Sequence, residues 1–353
     1  MAVNTKRVFY VDRVAATNFL DILATREDIR VDRLENDAAA PEAGPVLEAA
    51  HAFQIGSARD ELDPGFHAHA GLLARAPNLL VISTNGAGYD TVDLDDCTKA
   101  GVLVVNQAGG NKEAVAEHAL AMMLCLAKRI IETDRFMRRS DGIERNAYMG
   151  TELKDKTLGI IGLGHVGGRL AELCRVLFNM RVLACDPYLS AEQIAAKGAT
   201  KSGLDEMLTQ ADYVSINCPR TAETLNLMNA RTFGLMQKHA YFVTTARGGI
   251  HDEAALYEAL RTQSIAGAGL DVWFKEPPPK DHPLMQFDNV LVSPHTAGVT
   301  RESRANIARI AAEQMLDILD GKPASRVLNP QVWPTFAARF EATFGFAPSA
   351  PQG

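Results

Sequence analysis

A chain of 353 residues is long enough for two domains of ordinary size. With 47% hydrophobic and 22% charged residues its composition is that of a globular protein, and a formal charge of −7 argues against the basic face a general nucleic-acid binder needs. No stretch of about 18 apolar residues runs without a charge, so no membrane-spanning helix is expected.

The start, "MAVNTKRVFYVDRV", carries charges and no apolar h-region, so no secretory leader is expected. Five cysteines (Cys97, Cys125, Cys174, Cys185, Cys218) are widely spaced, with no CxxC pair. They read as buried thiols in a reducing compartment, the cytoplasm.

Along the first hundred residues short β-branched runs alternate with helical patterns. "RVFYVD" (7–12) precedes "ATNFLDILAT", "AFQIG" (52–56) precedes "HAGLLARA", "LLVIST" (79–84) precedes "DLDDCTKA", and "VLVVN" (102–106) follows. A parallel crossover needs a helix to return the chain, so this is an α/β pattern. In "NKEAVAEHALAMMLCLAKRI" (111–130) apolar residues cover most of the circumference, as in a helix buried between domains or subunits, with Asn111 as its N-cap.

After the polar loop "RRSDGIERNAYMG" a second series begins: "KTLGIIG" (156–162), "MRVLACD" (180–186), "ADYVSINC" (211–218), "HAYFVTT" (239–245), "SIAGAGLDV" (264–272) and "NVLVSP" (289–294). A last amphipathic helix, roughly 300–320, stops before "DGKP". The expected division is a discontinuous domain of 1–110 plus 300–353, with a second domain of 111–299 inserted into it.

"TLGIIGLGHVGGRL" places Gly162, Gly164 and Gly167 directly after a strand and before a helix. Such glycines allow a tight turn, close backbone approach to a pyrophosphate, and close helix–strand packing, while the helix N-terminus faces the phosphates. Asp186 ends the next strand roughly 20 residues on, where an acid accepts both ribose hydroxyls and repels a 2′-phosphate. Pro187 and Tyr188 add no cation, so NAD is expected and not NADP. No "GK[ST]" follows the glycines, which excludes a P-loop.

A dinucleotide on this sheet would put its reactive ring across the carboxyl ends of the later strands. Several of those ends carry polar residues that their apolar bodies do not explain: Arg247 in "FVTTARGG", Asp271 and Glu276 in "GLDVWFKEPP", and His295 in "LVSPHTAG". Arg offers a planar fork of donors for a carboxylate or carbonyl oxygen. His can take an alcohol proton and return it. Glu beside the second ring nitrogen would fix the tautomer. No metal site is indicated.

Together, "GIIGLGHVGGRL", "TTARGGIHDEAAL", "GAGLDVWFKEPP" and "VSPHTAG", with "STNGAGYDTVDL…GVLVVNQAGGNKEAVAEHALAMML" in the first domain, resemble the successive signatures of the D-isomer-specific 2-hydroxyacid dehydrogenase family. The resemblance covers about residues 80–330. It implies two Rossmann-like domains with parallel doubly wound sheets, an active-site cleft between them, and a homodimer made largely through the cofactor domain. The implied reaction interconverts a small D-2-hydroxy acid and its 2-keto acid with NAD(H).

By position the resemblance makes His295 the acid/base, Glu276 its orienting partner, and Arg247 the group that binds the substrate carboxylate and keto oxygen. Asp271 would hold the nicotinamide carboxamide, with Thr245 and Ala246 lining that pocket. His165 and Val166 would meet the pyrophosphate. Backbone groups of Asn85, Gly86, Ala87 and Gly88 would cradle the substrate carboxylate. Gly298 counts with the cofactor residues, at a close-packed crossing where the chain leaves that domain.

The sequence departs from the family at several places. His251 stands where an apolar residue is usual and could be a rival base, although Asp252 looks like an N-cap and would leave His251 on the loop side. Asn217 replaces a commoner His, leaving Cys218 and Pro219 as wall residues near the adenine or ribose. Gln107 and Ala108 replace a more usual Thr–Pro at the hinge. The aromatic tail, "VWPTFAARFEATFGFAPSAPQG", could pack on its own domain or on a partner subunit before a frayed tip. Rival readings are an NAD-sensing corepressor-like binding protein of the same fold, and a formate or phosphite dehydrogenase.

Overall fold

The structure is a computed structural model that describes residues 5–142 and 144–350. Met1–Asn4, Ile143 and Pro351–Gly353, which include the start and the tip weighed above, lie outside the described residues. The chain forms two compact units, Met1–Asn111 with Thr300–Gly353, and Lys112–Val299.

In unit 1 the strands β1 (Lys6–Val11), β2 (Ile29–Leu34), β3 (Ala52–Ile55), β4 (Val81–Thr84) and β5 (Leu103–Val105) form a parallel sheet in the order β2-β1-β3-β4-β5. The near-continuous apolar runs follow from burial on both faces. Phe9, Phe53, Ile82 and Val104 enter one core, while Val8, Ala52, Val81 and Leu103 enter the other, as a period of two requires.

β2 was not expected from the sequence. It lies at the sheet edge, where Arg30 and Asp32 interrupt the apolar pattern, and Asp32 pairs with both Arg7 and Arg30 at 2.9 Å.

The helix Arg301–Leu319, capped by Thr300 Oγ1 on Ser303 N (3.1 Å), covers the second core of unit 1. It belongs with the first residues through an ion cluster in which Asp320 accepts from Lys6 Nζ and Arg26 Nη1, each at 2.9 Å. The aromatic tail forms the helix Trp333–Phe344 and packs on its own unit: Phe336 and Phe340 are buried there, and Phe344 stacks edge-on against Phe340 at 4.8 Å.

In unit 2 the strands are β6 (Thr157–Ile161), β7 (Arg181–Cys185), β8 (Thr200–Lys201), β9 (Tyr213–Ile216), β10 (Tyr241–Thr244), β11 (Gly267–Leu270) and β12 (Val290–Val292). Their parallel order is β12-β11-β10-β9-β6-β7-β8, so the strand order reverses between β6 and β9. Such a switch point opens a crevice at the carboxyl ends of the two strands. The short β8 was not expected either.

The helix Lys112–Ala127 packs on β10, β11 and β12 and on the helix His165–Phe178 of the same unit. A Cβ on Gly269 of β11 would stand 3.0 Å from Met122 of that helix, so the two elements meet backbone to side chain. Of the cysteines, Cys97 and Cys174 are buried and the other three are half-buried, which corrects the expectation that all are enclosed. Burial pushes the thiols of Cys97 and Cys174 up to about 12.

Among the described residues no helix is long and apolar enough to cross a membrane, and no group of three or more His, Cys, Asp or Glu could hold a metal ion.

Candidate active and cofactor site

The glycine turn after β6 divides its work among three positions. Gly162 has φ +89°, and a Cβ there would lie 2.8 Å from Cys218 N. Gly167 is the packing glycine: its Cβ would stand 2.1 Å from Gly162 O. Around Gly164 a Cβ would meet nothing within 4 Å, so this is the open position where a ligand can approach the main chain. His165 and Val166 begin the helix that follows, and its first-turn amides present partial positive charge.

Asp186 directly follows β7. Its Oδ2 accepts from Leu163 N inside the glycine turn (2.9 Å), and its Oδ1 accepts from Tyr188 N (3.0 Å). Lys201, on β8, donates to Leu189 O at 2.6 Å. At the ends of β9 and β10, Asn217 Oδ1 and Thr245 Oγ1 are buried and have no hydrogen-bond partner among the described residues, although buried polar atoms are normally paired. An open glycine, a helix N-terminus, an acid at the end of β7 and unfilled polar atoms at neighbouring strand ends all fit a dinucleotide. Cys218 backs the Gly162 turn, beside Pro219, with its thiol raised to about 11 by burial.

Beyond β12 the chain turns sharply and carries His295, which has φ +55°. A non-glycine residue adopts that conformation only where its surroundings enforce it. Asp271 does the enforcing. Fully buried, it accepts from Ser293 Oγ (2.6 Å), Thr296 N (2.8 Å) and Ala297 N (3.0 Å), and its own carbonyl accepts His295 N (2.7 Å). The side chain expected to hold a nicotinamide carboxamide is thus enclosed, and its bonds run to the turn Ser293–Ala297. Gly298 follows that turn, just before the unit boundary.

His295 Nδ1 lies 2.7 Å from Glu276 Oε2, and Glu276 Oε1 accepts from Trp273 N at 3.0 Å. Burial acts to raise the Glu276 carboxyl, but the His295 bond and charge, the Trp273 amide and the charge of Arg247 outweigh it and hold it below the usual range. An ionised carboxylate only accepts, so Nδ1 of His295 carries the proton. With 37% of the side chain exposed, Nε2 has no hydrogen-bond partner among the described residues.

Arg247, after β10, donates to Ala246 O at 2.7 Å. Its turn is locked against the Glu276 loop: a Cβ on Gly248 would stand 1.8 Å from Trp273 O. Arg247, Glu276 and His295 therefore share one electrostatic neighbourhood.

Several supporting residues carry no sequence signal. His118, on the helix Lys112–Ala127, reaches Ser293 Oγ with Nε2 (3.0 Å); since that hydroxyl donates to Asp271, His118 Nε2 is the donor. Trp273 Nε1 donates to Ser293 O (3.1 Å), bracing the Glu276 loop against the His295 turn. Glu253 accepts from Phe274 N (2.8 Å) and pairs with His282 (3.2 Å), whose ring meets Trp273 edge-on at 5.1 Å.

In unit 1 the loop Asn85–Gly88 follows β4. The amide of Asn85 donates to Ile55 O (2.8 Å) and that of Gly86 to Thr84 O (3.0 Å) and Gln107 Oε1 (3.1 Å). Those two amides are spent, which narrows the expected four-residue cradle. The amides of Ala87, exposed, and Gly88, half-exposed, have no hydrogen-bond partner among the described residues.

The model of the D-isomer specific 2-hydroxyacid dehydrogenase NAD binding domain matches residues 120–297. D-3-phosphoglycerate dehydrogenase of Archaeoglobus fulgidus is 41% identical over 75% of this chain and 50% of its own length. Glyoxylate reductase of Aeropyrum pernix is 38% identical over 74% of this chain and 79% of its own. The structure of D-lactate dehydrogenase from Aquifex aeolicus, complexed with NAD and lactic acid, superposes with a TM-score of 0.75 at 27% identity, covering 89% of this chain and 96% of that one. The chain spans about half the length of the phosphoglycerate dehydrogenases it matches, 50% and 46% of two of them.

His251 is not on an open loop. It is 1% exposed, beside Phe242 (ring centroids 5.6 Å), and neither ring nitrogen has a hydrogen-bond partner among the described residues. Asp252 does cap the next helix, accepting from Ala254 N and Ala255 N. Burial drives the His251 imidazole down to about 4, so it is neutral and far from a working base. Charging it costs the folded state, so stability is full above the unfolded value of 6.5 and is lost as pH falls from there toward 4. His251→Leu should abolish that loss, about 3 kcal/mol at its limit. Urea unfolding at pH 7 and pH 4.5 measures it; equal acid sensitivity in variant and wild type would refute the assignment.

Proposed function

The chain belongs to the D-isomer specific 2-hydroxyacid dehydrogenase family, and we propose that it interconverts a D-2-hydroxy acid and its 2-keto acid with NAD(H). The observation that carries this reading is the 2.7 Å pair of His295 and Glu276, held on a strained turn of the unit that matches the family's NAD binding domain. The relatives named for phosphoglycerate, glyoxylate and D-lactate chemistry all act on 2-hydroxy or 2-keto acids.

Bound NAD(H) supplies or accepts the hydride. Gly164, His165 and Val166 would hold its pyrophosphate on the turn that Gly162 and Gly167 shape, and Asp186 would take the ribose hydroxyls and disfavour a 2′-phosphate. Cys218 and Pro219 wall the adenosine side. Thr245 and Ala246 line the nicotinamide side. Asp271 and Gly298 shape that side through the turn.

In reduction, Nε2 of His295 gives a proton to the oxygen that gains negative charge. In oxidation the same nitrogen removes the hydroxyl proton. Glu276 keeps Nδ1 protonated and stabilises the ring when it charges. Arg247 supplies donors to the substrate oxygens. Ala87 and Gly88 offer two adjacent amides for the substrate carboxylate, with Asn85 and Gly86 shaping the loop that presents them.

The second subunit is read as a copy of this chain docked on unit 2. The helix Ile130–Arg139 has no buried residue and exposes the apolar side chains of Ile130 (48%) and Met137 (73%), and Met149 (72%), shortly after it in the chain, is exposed as well. Five cysteines with no disulfide fit a cytoplasmic protein.

NADH consumption with a panel of 2-keto acids tests the activity. His295→Asn should lower kcat/KM by about 10²–10⁴-fold. Glu276→Gln removes the charge that stabilises the ring as it charges, so kcat should fall as well, though less than in the His295 variant. Undiminished turnover in the His295 variant would overturn the mechanism. Separately, the wild type should elute as a dimer in light-scattering chromatography and the double variant Met137→Glu, Met149→Glu as a monomer; a variant that stays dimeric would place the interface elsewhere.

A further inference from the structure

Gln107 departs from the family's usual residue, and nothing in the reaction as described uses it. It is 0% exposed and makes three bonds to the stretch Ser83–Gly86. Its Oε1 accepts from Gly86 N (3.1 Å), its own amide donates to Gly86 O (3.0 Å), and its Nε2 donates to Ser83 Oγ (3.0 Å).

Two further carboxamides flank it. Asn106, also buried, donates from Nδ2 to Ala87 O (2.9 Å) and accepts from Ala108 N (3.1 Å). Gln54, 1% exposed on β3, donates to Asn85 Oδ1 (2.7 Å). Gly86 itself sits at φ +133°, a conformation that only glycine holds without strain.

We propose that Gln107 is a positioning residue for substrate binding: it fixes Gly86 from beneath, so that the amides of Ala87 and Gly88 are left as a preformed two-donor cradle for a carboxylate. This rests on the reading of Asn85–Gly88 as the substrate loop. A carboxamide suits the task because one planar group supplies an acceptor to an amide and a donor to a hydroxyl at once. A shorter side chain cannot span Gly86 N and Ser83 Oγ together. Three neutral carboxamides also hold the loop in the same shape at every working pH. Fixing the loop before the ligand arrives removes an ordering cost from binding, and the effect falls on substrate affinity.

Gln107→Leu keeps the approximate volume and removes both side-chain bonds. It should raise KM for the preferred 2-keto acid about tenfold or more, the order of a lost hydrogen-bond pair. The kcat should stay within about twofold, and the NADH dissociation constant from fluorescence quenching should be unchanged. Gln107→Glu keeps an acceptor for Gly86 N but sets a buried negative charge under the cradle, so its KM should rise at least as far as that of Gln107→Leu. An unchanged KM, or a fall in kcat with KM constant, would overturn the proposal.

Amide hydrogen exchange of the 83–88 peptide gives a readout that needs no turnover. Faster exchange in Gln107→Leu, with wild-type rates in the peptides of β1 and β3, is expected. Equal exchange in both proteins overturns the lock even where no 2-keto acid is turned over, an outcome that would by itself refute only the proposed activity.

Discussion

A carboxylate withdrawn from water keeps its place only where donors replace the water it lost, and Asp271, fully buried, has a hydroxyl and two main-chain amides in that role. All three donors lie in Ser293–Ala297, the turn that carries His295. The bonds thus fold the chain after β12 back over the end of β11 and hold His295 in its left-handed conformation. Cutting one would leave a buried acceptor short, so the turn is defined as a unit. Glu276 can meet His295 only because this turn and the Trp273 loop are fixed on adjacent strands.

Bracing continues outward in layers. His118 donates to the Ser293 hydroxyl, and Trp273 donates to the Ser293 carbonyl. Glu253 and His282 then hold the far side of the Trp273–Phe274 segment. Each layer restricts the rotamers of the next, so the His295–Glu276 distance is set by packing well away from either ring.

Much of this architecture was legible in the sequence, for physical reasons. Buried parallel strands write themselves as apolar runs, and the glycine turn needs small residues at fixed spacing, so β6, Gly162, Gly164 and Gly167 were readable together. The edge strand β2 was not, because charged residues suit an exposed edge and blur the apolar signal. His118, Ser293, Glu253 and His282 escaped because their roles arise from contacts across long sequence separations. Asp271 looked like a ligand group at a strand end, and only its enclosure shows which donors it takes. His251 shows the opposite failure: a titratable residue beside an N-cap reads as accessible, whereas its ring is part of the core beside Phe242.

The two units solve the problem of holding a loop with different chemistry. In unit 1, Gln54, Asn106 and Gln107 brace Asn85–Gly88 with neutral carboxamides, whose donors and acceptors do not change with pH. In unit 2, ionisable groups take part in the bracing: Asp271 accepts from the neutral Ser293 hydroxyl, Glu253 pairs with His282, and Glu276 pairs with His295. An acid–base site has to contain a group that changes charge, and its neighbours must respond to that change. A cradle for a carboxylate has the opposite need, because any shift in its shape with pH would alter affinity as well as rate. In the proposed reading the loop that binds the carboxylate is braced by groups that cannot titrate, and the acid–base pair sits apart from it on the turn that carries His295.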